Sequence, residues 1–284
     1  TLAMVTQLTG AVINIIMDPI LIFGYFGFPR MEVAGAAAAT VLGQIVAAIM
    51  AVVMNLKCNP DVNIRLREIR WNGHVAGEIY RVGFPSIVMQ SIGSVMVFGM
   101  NKILFTKTAT AVLGAYFKLQ SFIFMPVFGL NNGMVPIVAY NFGAGRMDRV
   151  KKTVKLAVCT AVAIMAVGLA IFQLAPELLL SFFDASEEML AIGVPALRII
   201  SVSFLPAAIG FILPTMFQAM GQGGYSLIVF LLRQLVITLP AAAILSGPFG
   251  LTGIWASFIL AESIAAGVAL LFYNKLRKTD PVLE

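Results

Sequence analysis

Residues 13–23, "INIIMDPILIF", form an apolar run that is interrupted by an asparagine, an aspartate and a proline. The run belongs to a longer apolar stretch, about residues 2–23, which is the length that a helix needs to cross a bilayer. Seven more such stretches follow, at about residues 33–56, 79–104, 110–139, 153–175, 189–217, 225–247 and 250–273. They are continuously apolar and do not alternate, which predicts helices and not barrel strands. The sequence therefore predicts an all-α integral membrane protein with about eight transmembrane helices.

The composition supports a membrane protein and argues against an enzyme. Of the 284 residues, 60% are hydrophobic and 11% are charged, and the mean hydropathy is +0.96. Soluble domains carry about 25% charged residues. The single histidine and the two distant cysteines, Cys58 and Cys159, exclude a multi-histidine site and a disulfide framework. The sequence shows no HExxH motif, nucleophile–base pair or paired catalytic acids, so we expect no enzymatic activity and no cofactor.

The positions of lysine and arginine predict the orientation in the membrane. Residues 57–81, 140–155 and 274–278 hold five, five and three of the 19 positive residues, whereas the alternate connections hold only Arg30 and Lys107. By the positive-inside rule, the first group is cytoplasmic and both ends of this chain lie inside. The net charge of +6 thus reflects membrane topology and contact with the lipid bilayer, and we expect no nucleic-acid partner.

Four cations lie within the predicted spans and need separate explanations. Lys102 lies near the outer end of its span, where its side chain is expected to reach the membrane surface. Arg233 lies near the cytoplasmic end of its span, where its long side chain is expected to reach the membrane surface. Lys118 and Arg198 are candidates for polar groups of an internal cavity, although a structural ion pair would explain each of them equally well.

The first and last helix pairs resemble each other, which suggests an internal repeat. Pro19 aligns with Pro240, Gly35 aligns with Gly253, and Gln44 aligns with Glu262. If the last pair closes a six-helix bundle over residues 79–284, then residues 1–56 are the last two helices of an N-terminal bundle. Residues 57–78 are the expected cytoplasmic linker between the bundles. This sequence lacks the first four helices of the N-terminal bundle. We expect them to belong to the same polypeptide and to pack against residues 1–56 as their partner.

Several segments resemble the bacterial branch of the multidrug and toxic compound extrusion (MATE) transporters. Residues 13–44, "INIIMDPILIFGYFGFPRMEVAGAAAATVLGQ", are similar to the fifth and sixth helices of that family. The segment "GFPSIVMQSIGSVMVFGMNKIL" (83–104) resembles the seventh helix of the family. The segment "MPVFGLNNGMVPIVAYNFGAGRMDRVKK" (125–152) resembles the eighth helix and the loop after it, and "FQAMGQGGYSLIVFLLRQ" (217–234) resembles the turn into the eleventh. The resemblance implies two six-helix bundles around a central cavity in a bacterial plasma membrane. It also implies export of amphipathic, often cationic compounds, driven by inward flow of Na⁺ or H⁺.

A polar stripe on the first predicted helix could serve that cation. Asp18 follows Asn14 by four residues and Gln7 by eleven, so the three side chains fall within about 40° of one helical face. A charge at the bilayer centre costs roughly 2.5–3.5 kcal/mol, and such residues usually face the bundle interior. Pro19 has no N–H to donate to the carbonyl of Ile15. A carboxylate, an amide oxygen and a free carbonyl within one turn are ligands that a hard cation prefers.

The resemblance assigns a cation site to Asn14, Asp18 and Thr40, with a further acid on a helix that this sequence does not contain. A structural explanation is that Asp18 caps a kinked helix. Glu262 in the last span and Gln90, the main polar group of the seventh helix, are further candidates for cavity or relay positions. The seventh helix carries no acid, which makes a second cation site in the C-terminal bundle doubtful. Beyond the Na⁺ site, no metal site is expected.

Three functions are compatible with these observations. The first is a secondary antiporter that exports amphipathic compounds in exchange for Na⁺ or H⁺ by alternating access. The second is a lipid-linked oligosaccharide flippase of a related fold, which would carry more cations toward its cavity than Lys118 and Arg198. The third is a truncated, non-transporting fragment.

Overall fold

The computed structural model describes residues 2–58, 72–104 and 106–279, and within these ranges all regular structure is helical. The helices are α1 Leu2–Phe23, α2 Glu32–Cys58, α3 Gly73–Ile103, α4 Lys107–Gly143, α5 Met147–Leu174, α6 Pro176–Ser181, α7 Glu187–Ser201, α8 Phe204–Ala219, α9 Gly223–Leu231 and α10 Thr238–Thr279. A 3₁₀ turn spans Tyr25–Gly27, and a π-helical segment, Leu232–Val236, joins α9 to α10. The predicted all-α class is confirmed for this part of the chain.

The chain separates into two compact units, residues 1–73 and residues 74–284. The first unit contains α1 and α2, and the second contains α3 to α10. Most of the expected linker 57–78 lies outside the described residues, because these end at residue 58 and resume at residue 72. Its role as a cytoplasmic linker stays a prediction.

The number of membrane spans differs from the predicted eight when it is judged by helix length and hydropathy. Five of the described helices qualify, or six when α7 and α8, which meet at an angle of 51°, are taken as one bent span. The difference from eight has two causes. The apolar part of α3 is short, Ile87–Ile103, and the last two predicted spans are continuous as one helical segment, Gly223–Leu276.

This last segment reverses direction at Gly250, so it contains two spans. Its 54 residues would reach about 80 Å if straight, far beyond the roughly 30 Å of a hydrocarbon core. Gly250 has a φ of 57° and a ψ of −136°, a conformation outside the helical region. Gly253, which follows Gly250, lies directly against the carbonyl of Leu245, which precedes it. Residues eight apart in a straight helix would be about 12 Å apart, so this contact shows the chain folding back.

The first unit is a helical hairpin that is held together by small residues. A Cβ atom added at Gly43 would lie 2.7 Å from the carbonyl oxygen of Gly10, and one added at Gly35 would lie 2.5 Å from that of Leu21. The Leu21 carbonyl also accepts a hydrogen bond of 3.0 Å from the amide of Met31. Glycine therefore allows the backbones of α1 and α2 to touch, as small residues do at membrane helix interfaces.

The glycines that align in the predicted repeat share this role. Gly35 packs on a carbonyl of α1, and Gly253 packs on the Leu245 carbonyl of the preceding helical segment. In each helix pair, the second helix uses a glycine to approach the end of the first. The repeat proposed from sequence therefore marks equivalent packing positions in the two units.

The core of the second unit is built from aromatic and small side chains between α4, α5, α7, α8 and α10. Phe124 of α4 contacts Phe204 and Phe211 of α8 edge-to-face, with ring centroids 5.5 Å and 5.0 Å away. Phe172 of α5 contacts Phe204 at 5.1 Å, and Trp255 of α10 is fully buried. Such edge-to-face pairs are favourable beyond the area they bury. This aromatic core forms one side of the cavity described below.

Candidate functional site

Three polar residues of the first unit, Asn14, Asp18 and Thr40, form a connected cluster. The side-chain nitrogen of Asn14, Nδ2, lies 3.5 Å from Asp18 Oδ1 and donates to Thr40 Oγ1 at 3.3 Å. Thr40 Oγ1 in turn donates to the carbonyl of Ala36 at 2.9 Å. Asn14 and Asp18 are half-buried, and Thr40 is exposed. The structure thus brings together the three residues for which the sequence predicts a cation site.

The hairpin packing explains why these side chains meet. Gly43 lies one turn beyond Thr40 on α2, and its contact with Gly10 brings the two helices together beside Asn14. A Cβ atom added at Gly43 would lie 3.5 Å from Asn14 Cβ. The glycine contact and the polar cluster are therefore adjacent parts of one interface.

Helix capping does not account for Asp18. The helix α1 continues through Pro19 and ends at Phe23, five residues beyond the aspartate. Since Pro19 lacks an N–H, the carbonyl of Ile15 loses its usual helical donor close to the cluster. The arrangement offers a carboxylate and a hydroxyl, which are ligands for a hard cation, and a carboxylate can also carry a proton. Asn14 turns its side-chain nitrogen, Nδ2, toward both of these groups. Gln7 lies on the same helix and is exposed.

The second unit contains a cavity of about 630 Å³, within the range of small-molecule sites. Its wall combines aromatic and methionine side chains with a few polar groups. The lining residues include Met89, Gly93, Met96, Tyr116, Phe117, Gln120, Phe124, Phe128, Phe211, Gln218, Phe230, Arg233, Gln234, Thr238, Phe258 and Glu262. Such a surface suits amphipathic compounds, because methionine and phenylalanine adapt to varied shapes.

The two charged residues in this wall form a buried ion pair. Arg233 Nε lies 2.7 Å from Glu262 Oε1, and the two residues are only 6% and 8% exposed. The prediction that Arg233 reaches the membrane surface is therefore wrong. Its side chain turns inward because Glu262 supplies an opposite charge and Phe211 supplies an aromatic face, 3.7 Å from the guanidinium carbon.

A local change of helix type presents Arg233 to the cavity. The amide of Ile237 donates to the carbonyl of Leu232 at 3.0 Å, which is the i to i+5 bond of a π-helix. The hydroxyl of Thr238 donates to the carbonyl of Arg233, which compensates for the disturbed helical bonding. Single π turns of this kind recur at functional sites, since they rotate one side chain out of the regular helical order.

Of the other candidates predicted from the sequence, Lys118 and Arg198 lie away from the cavity, whereas Glu262 lines it. Lys118 is exposed and has its Nζ 5.9 Å from the ring of Phe183, whereas Arg198 is exposed and uses its carbonyl to accept from Gln173. Neither contributes to the cavity wall. The side chain of Gln90 lies outside the described part of the chain. Glu262 does line the cavity.

Among the described residues, no group of three or more His, Cys, Asp or Glu side chains is placed to hold a metal ion. The polar groups at the two locations are the cluster of Asn14, Asp18 and Thr40 in the first unit and the ion pair of Arg233 and Glu262 in the cavity wall of the second.

Sequence reasoning missed Arg233, although a signal was present. Arg233 and Gln234 are adjacent polar residues within an apolar span, and Glu262 is the acid of the span that follows. Two opposite charges in consecutive membrane helices are candidates for a pair, because each is costly alone in the bilayer. The aromatic residues of the wall carry no such signal, since phenylalanine is common throughout the chain.

Comparison with known proteins identifies similar transporters. The MatE family model matches residues 82–244. The multidrug export protein MepA of Staphylococcus saprophyticus is 33% identical over 278 residues, and that of Staphylococcus haemolyticus is 30% identical. Each alignment covers 97% of this chain and 60% of the relative. A solved structure of the outward-facing conformation of a multidrug resistance MATE family transporter of the MOP superfamily matches with a TM-score of 0.85 at 25% identity, over 97% of this chain and 63% of that one. The chain thus spans about 60% of the length of these relatives.

Proposed function

The chain belongs to the MatE family, and from this premise we propose that the protein exports amphipathic, often cationic organic compounds in exchange for Na⁺ or H⁺. Export would proceed by alternating access across a bacterial plasma membrane, without a chemical step on the compound. The family membership and the similarity to multidrug export proteins support this proposal.

The observation that carries the coupling part of the proposal is the cluster of Asn14, Asp18 and Thr40. These residues lie on two different helices. A hydrogen bond joins Asn14 to Thr40, which are 26 positions apart in the sequence. An aspartate in an apolar helix is costly, and membrane proteins retain such residues mainly for ion or proton pathways. We infer that Asp18 binds the coupling ion and that Asn14 and Thr40 orient it.

The cavity of the second unit supports the substrate part of the proposal. It is large enough for a drug-sized compound, and its aromatic wall suits the apolar portion of such a compound. The flippase alternative required several cations facing a cavity. Of the residues lining this cavity, the cation is Arg233, and it is already paired with Glu262.

The experiment that tests the proposal is efflux of ethidium from cells that express the intact native protein. We expect Asp18→Asn to reduce gradient-driven efflux to the level of cells without the transporter, because the amide cannot exchange a proton and attracts a cation far less strongly. Membrane abundance of the variant should be unchanged.

A matched control is Glu32→Gln, which removes an exposed acid of the same unit that is paired with Arg30 at 3.3 Å outside the cluster. This variant should export like the wild type. Normal ion-coupled efflux by Asp18→Asn would show that Asp18 is not the coupling residue.

A further inference from the structure

The bent span formed by α7 and α8 is interrupted at residues 202 and 203, where the two helices meet at an angle of 51°. At this break, the amide of Ser203 donates to the carbonyl of Ile200, three residues earlier, at 2.9 Å. A regular α-helix would use the carbonyl four residues earlier. Pro206 has no N–H to donate to the carbonyl of Val202, and proline is a usual cause of helix kinks. The local sequence therefore favours a bend here.

The side chain of Gln173, near the end of α5, takes the place of a helical hydrogen bond that the break removes. In a straight helix, the carbonyl of Arg198 would accept from the amide of Val202. At the break, this amide donates to the carbonyl of Ile199 at 3.2 Å instead. Gln173 Nε2 donates to the carbonyl of Arg198 at 2.8 Å. This bond thus satisfies a carbonyl that has lost its helical donor because the span is bent.

A buried serine extends the contact between Gln173 and the end of α7. Gln173 Nε2 also lies 3.2 Å from Ser201 Oγ, and this hydroxyl donates to the carbonyl of Arg198 at 2.9 Å. Ser201 is fully buried. Since buried polar groups are costly without partners, these bonds favour the bent form of the span over a form in which Gln173 has moved away.

The residue before Gln173 holds the other arm of the bend. Phe172 of α5 contacts Phe204, the first residue of α8, with ring centroids 5.1 Å apart, and both side chains are buried. Consecutive residues of α5 therefore contact the last turn of α7 and the first turn of α8. Together they fix the angle between the two helices.

The arm formed by α8 carries part of the cavity wall. Phe211 and Gln218 of α8 line the cavity, as does Ser203 at the break, whereas none of the described residues of α7 does. Phe211 follows Ser203 by eight residues, so it lies about 12 Å from the break along the helix. A change of ten degrees in the bend would move Phe211 by about 2 Å. That movement is large beside the 3.7 Å that separates its ring from the guanidinium carbon of Arg233.

We propose that Gln173 is a positioning residue that locks the bend between α7 and α8 and thereby holds the cavity wall that α8 carries. When the bonds of Gln173 break, the amide of Val202 returns to the carbonyl of Arg198 and the span straightens. The lock follows from these contacts alone. Its use as a hinge during alternating access rests on the proposed export function.

The test measures the bend as the distance between two spin labels on the purified, intact native protein, by double electron–electron resonance. The labels are attached at Glu187→Cys, at the start of α7, and at Gln222→Cys, just after α8, which are exposed positions. The native cysteines, Cys58 and Cys159, are exposed and are replaced by serine. A second pair, Arg149→Cys and Val167→Cys within α5, reports on a helix that does not bend.

Helix length gives the size of the expected change. The helices α7 and α8 have 15 and 16 residues, so they are about 22 and 24 Å long. Their far ends lie about 42 Å apart at a bend of 51° and would lie about 46 Å apart in a straight span. Each ten degrees of straightening therefore adds about 1–2 Å to the distance between the labels, up to a limit of about 4 Å.

Gln173→Met keeps the length of the side chain but removes its donor, so we expect the label distance across the bend to increase by about 1–4 Å. Gln173→Ala loses the same donor without the bulk, and it serves if Gln173→Met does not fold, as judged by thermal unfolding. The distance within α5 should stay unchanged in both variants.

Ser181→Ala is the matched control. It removes a side-chain hydrogen bond to the carbonyl of Leu178, 2.7 Å long, at the end of the neighbouring α6, and it leaves the break intact. Its label distance should equal that of the wild type. A folded Gln173 variant with lower stability but the wild-type distance would overturn the proposal, because Gln173 would then stabilise the unit without setting the bend. The distances are measured without ions, substrate or gradients, so the result is independent of whether Asp18→Asn abolishes export.

Discussion

Replacing Gly43 with alanine is expected to separate the two helices that form the proposed cation site. The added Cβ atom would lie 2.7 Å from the carbonyl oxygen of Gly10, whereas ordinary contact begins at 3.4 Å. The neighbouring atoms are backbone, so they cannot rotate away as a side chain would. To remove the clash, α1 must move from α2 by about 0.7 Å, the difference between these two distances.

This movement is large compared with the geometry of the cluster. The hydrogen bond from Asn14 Nδ2 to Thr40 Oγ1 is 3.3 Å long. An opening of about 0.7 Å would lengthen it to about 4.0 Å, beyond the range of a hydrogen bond. Loss of one such bond costs about 0.5–1.5 kcal/mol, so the apparent affinity for the coupling ion should fall roughly two- to tenfold. Overpacking should also lower the stability by about 1–3 kcal/mol.

The assay is ethidium transport in membrane vesicles as a function of Na⁺ concentration and of pH, combined with thermal unfolding of the purified protein. Gly129→Ala is the matched control, because a Cβ atom at this helical position meets no other atom within 4 Å. It should leave the ion dependence unchanged. If Gly43→Ala is folded and shows the wild-type ion dependence, then this glycine does not position Asn14 and Thr40.

Three other substitutions have distinct expected outcomes. Arg233→Gln alone should lower stability by about 3–5 kcal/mol in thermal or chemical unfolding, because it leaves Glu262 buried without its partner. Addition of Glu262→Gln should restore most of this loss, and additive losses would argue against the ion pair. Thr40→Val, which keeps the side-chain shape but removes the hydroxyl, should weaken ion dependence about two- to tenfold, and an unchanged value would exclude a ligand role. Gly253→Ala should destabilise the protein by about 1–3 kcal/mol, because Gly253 contacts the Leu245 carbonyl, and unchanged unfolding would show that the backbone there relaxes freely.

Much of the fold was predictable because the bilayer imposes simple rules on sequence. Apolar length identified the helices, and the paired glycines at 35 and 253 marked positions where helices touch. The cluster of Asn14, Asp18 and Thr40 was also predictable, because polar residues in an apolar helix have few favourable positions. Family resemblance supplied Thr40, which spacing on one helix could not.

The cavity was harder to predict, because it depends on contacts between distant parts of the chain. Arg233 was expected at the membrane surface from its place near a span end, but the π-helical segment and Glu262 hold it inside. A regular helical period cannot predict an inserted residue of this kind. The reversal at Gly250 likewise depends on one backbone conformation within a continuous apolar stretch, so hydropathy alone cannot count the spans there.

Ion-coupled export is tested most directly by ethidium transport in proteoliposomes that contain the intact native protein, with Na⁺ or pH gradients imposed in turn. We expect ethidium to move against the direction of one of these ion gradients, and Asp18→Asn to abolish this movement. Equal movement with and without both gradients, or gradient-driven movement that persists in Asp18→Asn, would contradict this expectation.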